Sequence, residues 1–175
     1  MASVGTGNTT HVSGELFKLM TGVDMVHVPY RDLPYSDLIA GRVQVYFSPV
    51  APSIEHIRAG TLRALAVTAT SRVDALPDIP IMADFIPGFE VSGWVGLGAP
   101  KKPPAEIIDK LNKEINAGLA DPKINARLAD LGGTPVVLSP AAFRKFITEE
   151  VEKWAKVIRA ANIRAYGSVR AATFS

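Results

Sequence analysis

The stretch from Gly5 to His11 has the residue types that bind an anion through the backbone. Its sequence, Gly-Thr-Gly-Asn-Thr-Thr-His, leads directly into an amphipathic helix. Glycines let the backbone turn so that amide groups point outward. The first turn of a helix leaves N–H donors unpaired and carries the positive end of the helix dipole, so it can hold a carboxylate or phosphate without lysine or arginine. The same residues also fit a simpler role, in which Asn8 or Thr9 only caps the helix.

Residue types and spacing do not indicate catalytic or metal chemistry. The loop lacks the dinucleotide-binding fingerprint, because Thr10 stands at the third glycine position, and no Gly-Lys-Ser/Thr follows as in a phosphate-binding loop. The histidines at positions 11, 27 and 56 are not spaced as metal ligands. No serine lies in a Gly-x-Ser-x-Gly elbow, and no carboxylates are paired for acid–base work. We therefore expect a protein that is not an enzyme and has no metal or cofactor.

Composition restricts the class of protein further. The chain has 175 residues, of which 47% are apolar, enough for one ordinary domain or two small lobes. The net charge of +2 and the absence of a basic cluster interleaved with aromatics argue against nucleic-acid binding. There is no cysteine, and no apolar run approaches the roughly 20 residues of a membrane span. The start, Met1 to Val4, lacks a charged and an apolar region, so we expect no signal peptide in this chain.

Hydrophobic periodicity in the first half predicts alternating helices and strands. A helix is predicted from residue 9 to 21, ended by Gly22, and short helices over 35–40 and 51–59. Strands are predicted over 24–29, 43–47 and 62–67, the last with an apolar pattern typical of a strand covered on both faces. Such alternation predicts a parallel sheet. Ligands bind such sheets beyond the carboxyl ends of the strands. The loops that meet at this edge are expected to be 5–10, 30–35 and 48–52.

The second half is predicted to be mainly helical. A proline-rich connector over 71–80 leads to a strand over 91–97 centred on Trp94. Asp121-Pro122 and Ser139-Pro140 are capping residues followed by proline, a typical helix start. Residues 164–175 lack periodicity and are predicted to be a disordered tail. The remaining predicted elements are helices over 103–119, 122–131 and from 140 onward, and a brief strand over 134–138.

A series of motifs resembles one known family. The first is Gly-x-Gly-x-Thr-x-His-x-x-Gly-Glu-Leu-Phe, followed by Met-Thr-Gly-Val-Asp-Met-Val-His-Val-Pro-Tyr-Arg and Asp-Leu-Ile-Ala-Gly. Later come Ser-Ile-Glu-His-Ile-Arg-Ala-Gly-Thr-Leu-Arg-Ala-Leu-Ala-Val-Thr, Leu-Pro-Asp-Ile-Pro and Trp-Val-Gly-Leu-Gly-Ala-Pro. In this order they resemble the Bug-type extracytoplasmic solute receptors of tripartite tricarboxylate transporters. The resemblance extends from residue 2 to about residue 163.

The resemblance implies an α/β fold of the type II periplasmic-binding-protein kind. It implies a parallel-sheet lobe over residues 1–90, which carries the ligand loop, and a second, incomplete lobe to which residues 91–163 return. Members of the family are usually about twice as long, so we expect this chain to be truncated at its N-terminus. The resemblance also implies a periplasmic location, a small carboxylate held between loops of the two lobes, and membrane-embedded transporter subunits as partners.

The resemblance also implies a set of ligand-binding residues in the ligand-loop lobe. Two departures from the family pattern affect it. The loop after Arg31 is about two residues shorter than usual, and Ser48 stands where many members carry aspartate. An acidic, bulky loop is expected to alter the pocket by repulsion and by filling volume. The predicted ligand-binding residues are Gly5, Gly7, Asn8, Thr9, Thr10, His11, Tyr30, Arg31, Pro34 and Ser48.

The sequence thus predicts a solute receptor that binds a dicarboxylate or an aromatic acid and delivers it to a tripartite transporter. The alternative is a fragment that no longer binds ligand and acts as a self-associating interaction protein. The physical reason for this alternative is that a missing half-lobe would leave the apolar faces of the helices at 104–119 and 140–161 uncovered. Such faces tend to pair with another chain. A hydrolase or transferase without a recognisable motif is a third possibility.

Overall fold

The computed structural model describes residues 1–101 and 103–164. It is an α/β fold in which every helix predicted from the sequence is present. The predicted tail, apart from Arg164, lies outside the described residues. The elements are β1 (Ala2–Ser3), α1 (Thr9–Thr21), β2 (Val28–Pro29), α2 (Tyr35–Ile39), α3 (Val50–Arg58), a 3-10 turn (Met82–Asp84), α4 (Ala105–Ala120), α5 (Pro122–Asp130) and α6 (Pro140–Ala160).

Helices α1, α5 and α6 begin at capping residues that the sequence offers, whereas α2, α3 and α4 begin after a proline without a side-chain cap. The Asn8 side chain accepts a hydrogen bond from the Thr10 amide at the start of α1. Asp121 accepts from two amides in the first turn of α5, and Ser139 accepts from one in the first turn of α6. Because each cap satisfies donors that the helix itself leaves unpaired, these starts are decided locally.

The strand pairing is parallel throughout, as predicted, and β1 is its centre. On one side Ala2 and Ser3 pair with Val28 and Pro29 of β2. On the other side Ala2 pairs with Tyr46, and the Ala2 amide donates to the Val45 carbonyl at 2.8 Å. The predicted strands over 24–29 and 43–47 are therefore in the right place. They are much shorter than predicted, reduced to the two residues of β2 and the single bridge at Tyr46.

Three other predicted strands do not form among the described residues. Residues 62–67 contribute one parallel bridge, from Val67 to Ile81, and residues 91–97 and 134–138 contribute none. The prediction that 62–67 is covered on both faces is wrong, since Leu65 is 65% exposed. A strand needs a neighbouring backbone to pair with, and in the described part of the chain these segments have almost none. These segments therefore have strand-forming side chains but lack the backbone hydrogen bonds of a strand ladder within the described chain.

Two apolar clusters hold the first 91 residues together. One contains Ile54 of α3, Val67 and Leu76. The other is aromatic: Phe89 is 1% exposed, and its ring lies 6.3 Å from the ring of Phe17 on α1 and 6.4 Å from that of Phe47. The aromatic cluster therefore ties α1 to the segment that follows the Tyr46 bridge.

The second half of the chain contacts the first. Helix α6 packs against both α1 and α4. Lys153 of α6 forms an ion pair with Glu90 at 3.5 Å. Trp94 packs edge-on against Phe143 and Phe146 of α6 but is 44% exposed, so it is not a core residue in the described structure. The segments before and after residue 90 thus contact each other at several points, and their assignment to two lobes stays a prediction. Across the described ranges, no helix combines the length and apolar character needed to cross a membrane.

Candidate functional site

Three loops follow the parallel strands and begin at the same edge. The chain leaves β1 into residues 4–8, leaves β2 into residues 30–34, and leaves the Tyr46 bridge into residues 47–49. Because the pairing is parallel, all three carboxyl ends face one way. The second and third loops are joined directly, since the hydroxyl groups of Tyr35 and Ser48 lie 2.9 Å apart. The edge predicted from the sequence is therefore present.

The first loop has the backbone conformation that its glycines predict. Gly5 and Gly7 have φ of 119° and 80°, in a region that other residues rarely adopt. A Cβ atom at either position would touch nothing within 4 Å, so backbone conformation and not space requires glycine. The Val4 amide donates to Thr10 Oγ1 at 3.0 Å and closes the loop onto α1.

Most amides of this loop already have protein acceptors. The Gly5 amide donates to Ser3 Oγ at 3.2 Å, the Gly7 amide to His11 Nδ1 at 3.0 Å, and the Thr10 amide to Asn8 Oδ1 at 3.2 Å. Asn8 therefore does act as the cap that the simpler interpretation expected. The Thr9 amide makes no hydrogen bond with any residue that the structure describes, and Thr9 is exposed. It is the donor at the helix start that remains available.

Two stacked histidines, the buried His11 and the half-buried His27, lie against the loop. His11 is 5% exposed, and its ring stacks on that of His27 with 3.7 Å between centroids and 14° between planes. His27 Nε2 lies 2.6 Å from Ser3 Oγ. Burial is the largest cause that lowers the pKa of both rings. Lys18 lowers both pKa values further, and Glu15 acts in the opposite direction on both. At neutral pH both rings are therefore uncharged and can act as hydrogen-bond acceptors.

In the second loop, the hydroxyl of the predicted ligand residue Tyr30 is already engaged by a neighbouring side chain. The Tyr30 hydroxyl donates to Asp37 at 2.9 Å, which raises the pKa of Tyr30. The hydrogen bonds from Tyr30 and Arg42 lower the pKa of Asp37. Arg31 is exposed at the start of the loop, whereas Pro34 is fully buried. Of the three predicted ligand residues in this loop, Tyr30, Arg31 and Pro34, Arg31 is thus the exposed one.

Two tyrosines that were not predicted as site residues lie beside the third loop: Tyr35 at the start of α2, and Tyr46 at the bridge that precedes the loop. Tyr35 is buried and bonded to Ser48, and its ring lies edge-on to Tyr46 at 5.9 Å. Burial, followed by the effect of Tyr35, raises the pKa of Tyr46 to about 12. The buried Tyr46 hydroxyl has no hydrogen-bond partner among the described residues. The strand period offered a signal for Tyr46, because residues two apart lie on one face and Ser48 was already predicted.

The site is an open edge and not a closed cavity. A surface depression of about 390 Å³ lies at the opposite end of the strands, lined in part by Met1, Met25 and Arg42. Within the ranges 1–101 and 103–164, no group of three or more metal-ligating side chains comes together. The geometry brings together Gly5, Gly7, Asn8, Thr9, Thr10 and His11 in one loop. It places Ser48 at the same edge through its own strand.

Comparison with known proteins identifies one family of receptors. Residues 1–163 match the family model described as the tripartite tricarboxylate transporter family receptor. A protein encoded in the tcbD–tcbE intergenic region of Pseudomonas sp. strain P51 is 37% identical over 161 residues, covering 90% of this chain and 48% of that protein. BugT of Bordetella pertussis is 36% identical over 87% of this chain and 48% of its own length. The chain thus spans about half the length of these relatives.

One relative is closer in length. A protein from the clcB–clcD intergenic region of Pseudomonas knackmussii is 32% identical, and the match covers 88% of this chain and 94% of that protein. Solved structures are also similar. Rpa4515 of Rhodopseudomonas palustris, solved with adipate, has a TM-score of 0.82 and 34% identity over 93% of this chain and 55% of its own. MatC of the same species, with bound malate, has a TM-score of 0.74 and 28% identity, over 90% of this chain and 55% of its own.

Proposed function

The chain belongs to the tripartite tricarboxylate transporter receptor family, and from that premise we propose that it holds one carboxylate of a small dicarboxylate ligand. The observation that carries the proposal is the exposed start of α1, where the Thr9 amide is available at the carboxyl edge of the parallel strands. The loop from Gly5 to His11 forms the grip. Arg31 and Ser48 form its wall, with Tyr30 and Pro34 supporting them from behind.

The chemistry of the α1 start suits an anion. The first turn of α1 contains no acidic residue, so the positive end of the helix dipole is not neutralised from within the helix. Gly7, Asn8 and Thr9 are exposed there. A charge-assisted hydrogen bond from an amide to a carboxylate contributes about 1.5–3 kcal/mol. The available Thr9 donor and the helix dipole together account for binding of a carboxylate without a dedicated cation.

The ligand class is inferred from the family and its structures. Two similar proteins were solved with adipate and with malate, both dicarboxylates. A second carboxylate would be held by the part of a family receptor that this chain does not match, since the match covers about 55% of those proteins. An aromatic acid is the other ligand that fits the proposed grip. We infer the rest of the assignment from the family: a receptor and not an enzyme, in the periplasm, delivering ligand to membrane subunits of the transporter.

A second candidate function is self-association. It is supported by exposed apolar residues in the segments 62–67, 91–97 and 134–138. These segments have strand-like sequences but form no strand ladder among the described residues. Such surface favours burial against another chain. Within these segments the most exposed apolar residues are Leu65, Val95, Leu97, Val136 and Val137.

Titration calorimetry with adipate and with its uncharged diamide tests the first candidate against the second. We expect adipate to bind, and the diamide to bind at least about tenfold more weakly, because the diamide offers no anion to the amides of α1. Light scattering on the same samples gives the mass. Equal affinities for both compounds would contradict the carboxylate grip. A dimer that gives no heat with adipate would favour self-association.

A further inference from the structure

The ring of His11 is part of the backbone hydrogen bonding of the anion loop. His11 Nδ1 accepts from the Gly7 amide at 3.0 Å, and an imidazole nitrogen can accept only when it carries no proton. The side chain is almost fully buried, so no water replaces this contact from outside. His11 therefore stands in the structure with its Nδ1 unprotonated and its proton, when neutral, on Nε2.

His27 extends the same support to the other glycine. It stacks on His11 and lies 2.6 Å from Ser3 Oγ. The Ser3 hydroxyl in turn accepts from the Gly5 amide and lies 3.2 Å from the Gly5 carbonyl. The two left-handed glycines of the loop are thus each connected to one ring of the histidine pair. Protonating either ring would place charge against the other at 3.7 Å.

The charged groups that act on the pair come from helix α1 and from the N-terminal amino group. Glu15 Oε1 of α1 lies 3.6 Å from His11 Nε2, too long for a hydrogen bond, and forms a closer ion pair with Lys18 at 3.1 Å. The amino group of Met1 at the start of β1 and the ring of His11 both act on His27. Helix α6, which packs on α1, adds no charged group to this set in the described part of the chain. Lys18 thus offsets part of the attraction that Glu15 offers to a protonated ring.

We propose that His11 is a positioning residue that sets the conformation of the Gly5–Asn8 loop through the Gly7 amide, and that protonation of His11 releases this loop. Its consequence for ligand rests on the proposed carboxylate site: affinity for a carboxylate falls as the ring becomes charged. The physical reason is direct. Protonated His11 presents an N–H to the Gly7 N–H, and two donors facing each other at this distance cannot form a bond.

The sign of the pH dependence follows from the lowered pKa of His11. Burial is the largest cause of that lowering, and Glu15 acts against it. A histidine whose folded pKa is below the ordinary value of about 6.5 contributes stability above pH 6.5. That contribution is lost as the pH falls through the folded pKa. The loop is therefore expected to be formed at neutral pH and released in mild acid.

The experiment is an NMR titration of the full chain, labelled with ¹⁵N, from about pH 8 to about pH 5. We expect the ring nitrogens to show an unprotonated His11 Nδ1 at the upper pH, and the Gly7 amide shift to follow the His11 titration. The variant His11→Asn keeps an acceptor near the position of Nδ1 but cannot be protonated in this range. Its Gly7 shift should stay constant. The control His56→Asn removes a histidine of α3 and should leave the Gly7 titration as in the parent chain.

Adipate affinity at the two ends of that pH range completes the test. We expect the parent chain to bind about fivefold more weakly at the acidic end, as for loss of one hydrogen bond, and His11→Asn to change less. The titration of adipate itself is common to both proteins and cancels in the comparison. A Gly7 shift that does not follow His11 would overturn the inference, whatever adipate does. Intact coupling between His11 and Gly7 without adipate binding would support the inference and refute the carboxylate site.

Discussion

Replacing Phe89 with alanine is expected to lower the free energy of unfolding by about 3–5 kcal/mol. The side chain is 1% exposed and is among the largest that are fully buried in the described chain. It packs between the rings of Phe17 and Phe47. Removing it leaves a cavity between α1 and the segment that leads to Ser48, and the surrounding rings can fill this cavity only in part. Since domains are typically stable by 5–15 kcal/mol, the variant should be close to unfolding.

Urea denaturation followed by circular dichroism measures this loss. Phe85→Ala is the matched control, because the chemical change is the same and Phe85 is 68% exposed. The control should lose less than about 1 kcal/mol. Equal, small losses for the two variants would show that the aromatic cluster does not anchor α1 to the third loop.

Replacing Thr9 with proline is expected to weaken binding of adipate about tenfold or more. The change removes the one helix-start amide that the structure leaves available, and a hydrogen bond from an amide to a carboxylate is worth about 1.5–3 kcal/mol. The fold should tolerate it. Thr9 is the first residue of α1, a position that proline favours, and Asn8 has φ and ψ of −70° and 159°, which suit a residue before proline. Asn8 is left unchanged because it caps the helix.

Two further variants isolate the amide. Thr9→Val removes the hydroxyl and keeps the N–H, so it should bind adipate nearly as the parent chain does. Ala105→Pro makes the same kind of change at the first residue of α4, where Pro104 also has an extended ψ of 141°, and should leave both affinity and melting temperature unchanged. Calorimetry and thermal unfolding of the three variants provide the comparison. An affinity of Thr9→Pro equal to that of the parent would remove the Thr9 amide from the site.

The helices could be predicted from the sequence because their signals are local. Asn8, Asp121 and Ser139 each cap a helix through amides two or three residues away, so no distant contact is needed to place these starts. The strands could not be predicted as well. Residues 62–67 and 91–97 have the right side chains, but a strand forms only where another backbone lies alongside. For most of their length, the described chain supplies no such neighbour.

The site shows the same division between local and distant information. The loop from Gly5 to Thr10 and its cap were predictable, because the glycines and Asn8 act within a few residues. The stacking of His11 on His27 was not predictable. The two residues are 16 positions apart in the sequence, and they meet because β1 pairs with β2. Burial of Pro34 and the contact of Tyr35 with Ser48 depend in the same way on packing between loops. Which residue types could bind an anion was evident, whereas which amides remained available was not.

The loop at the start of α1 is proposed to bind a carboxylate, and a titration with adipate can be mapped onto its backbone amides. The measurement is an amide NMR titration of the full chain with adipate at about pH 7.5. At this pH His11 and His27 are uncharged and adipate is a dianion. Carboxylate binding at this loop should give saturable shifts centred on the amides from Gly5 to Thr10, with smaller shifts at Ser48 in the third loop. Shifts that avoid this loop, or that gather around Met25 and Arg42 at the opposite edge, would contradict it.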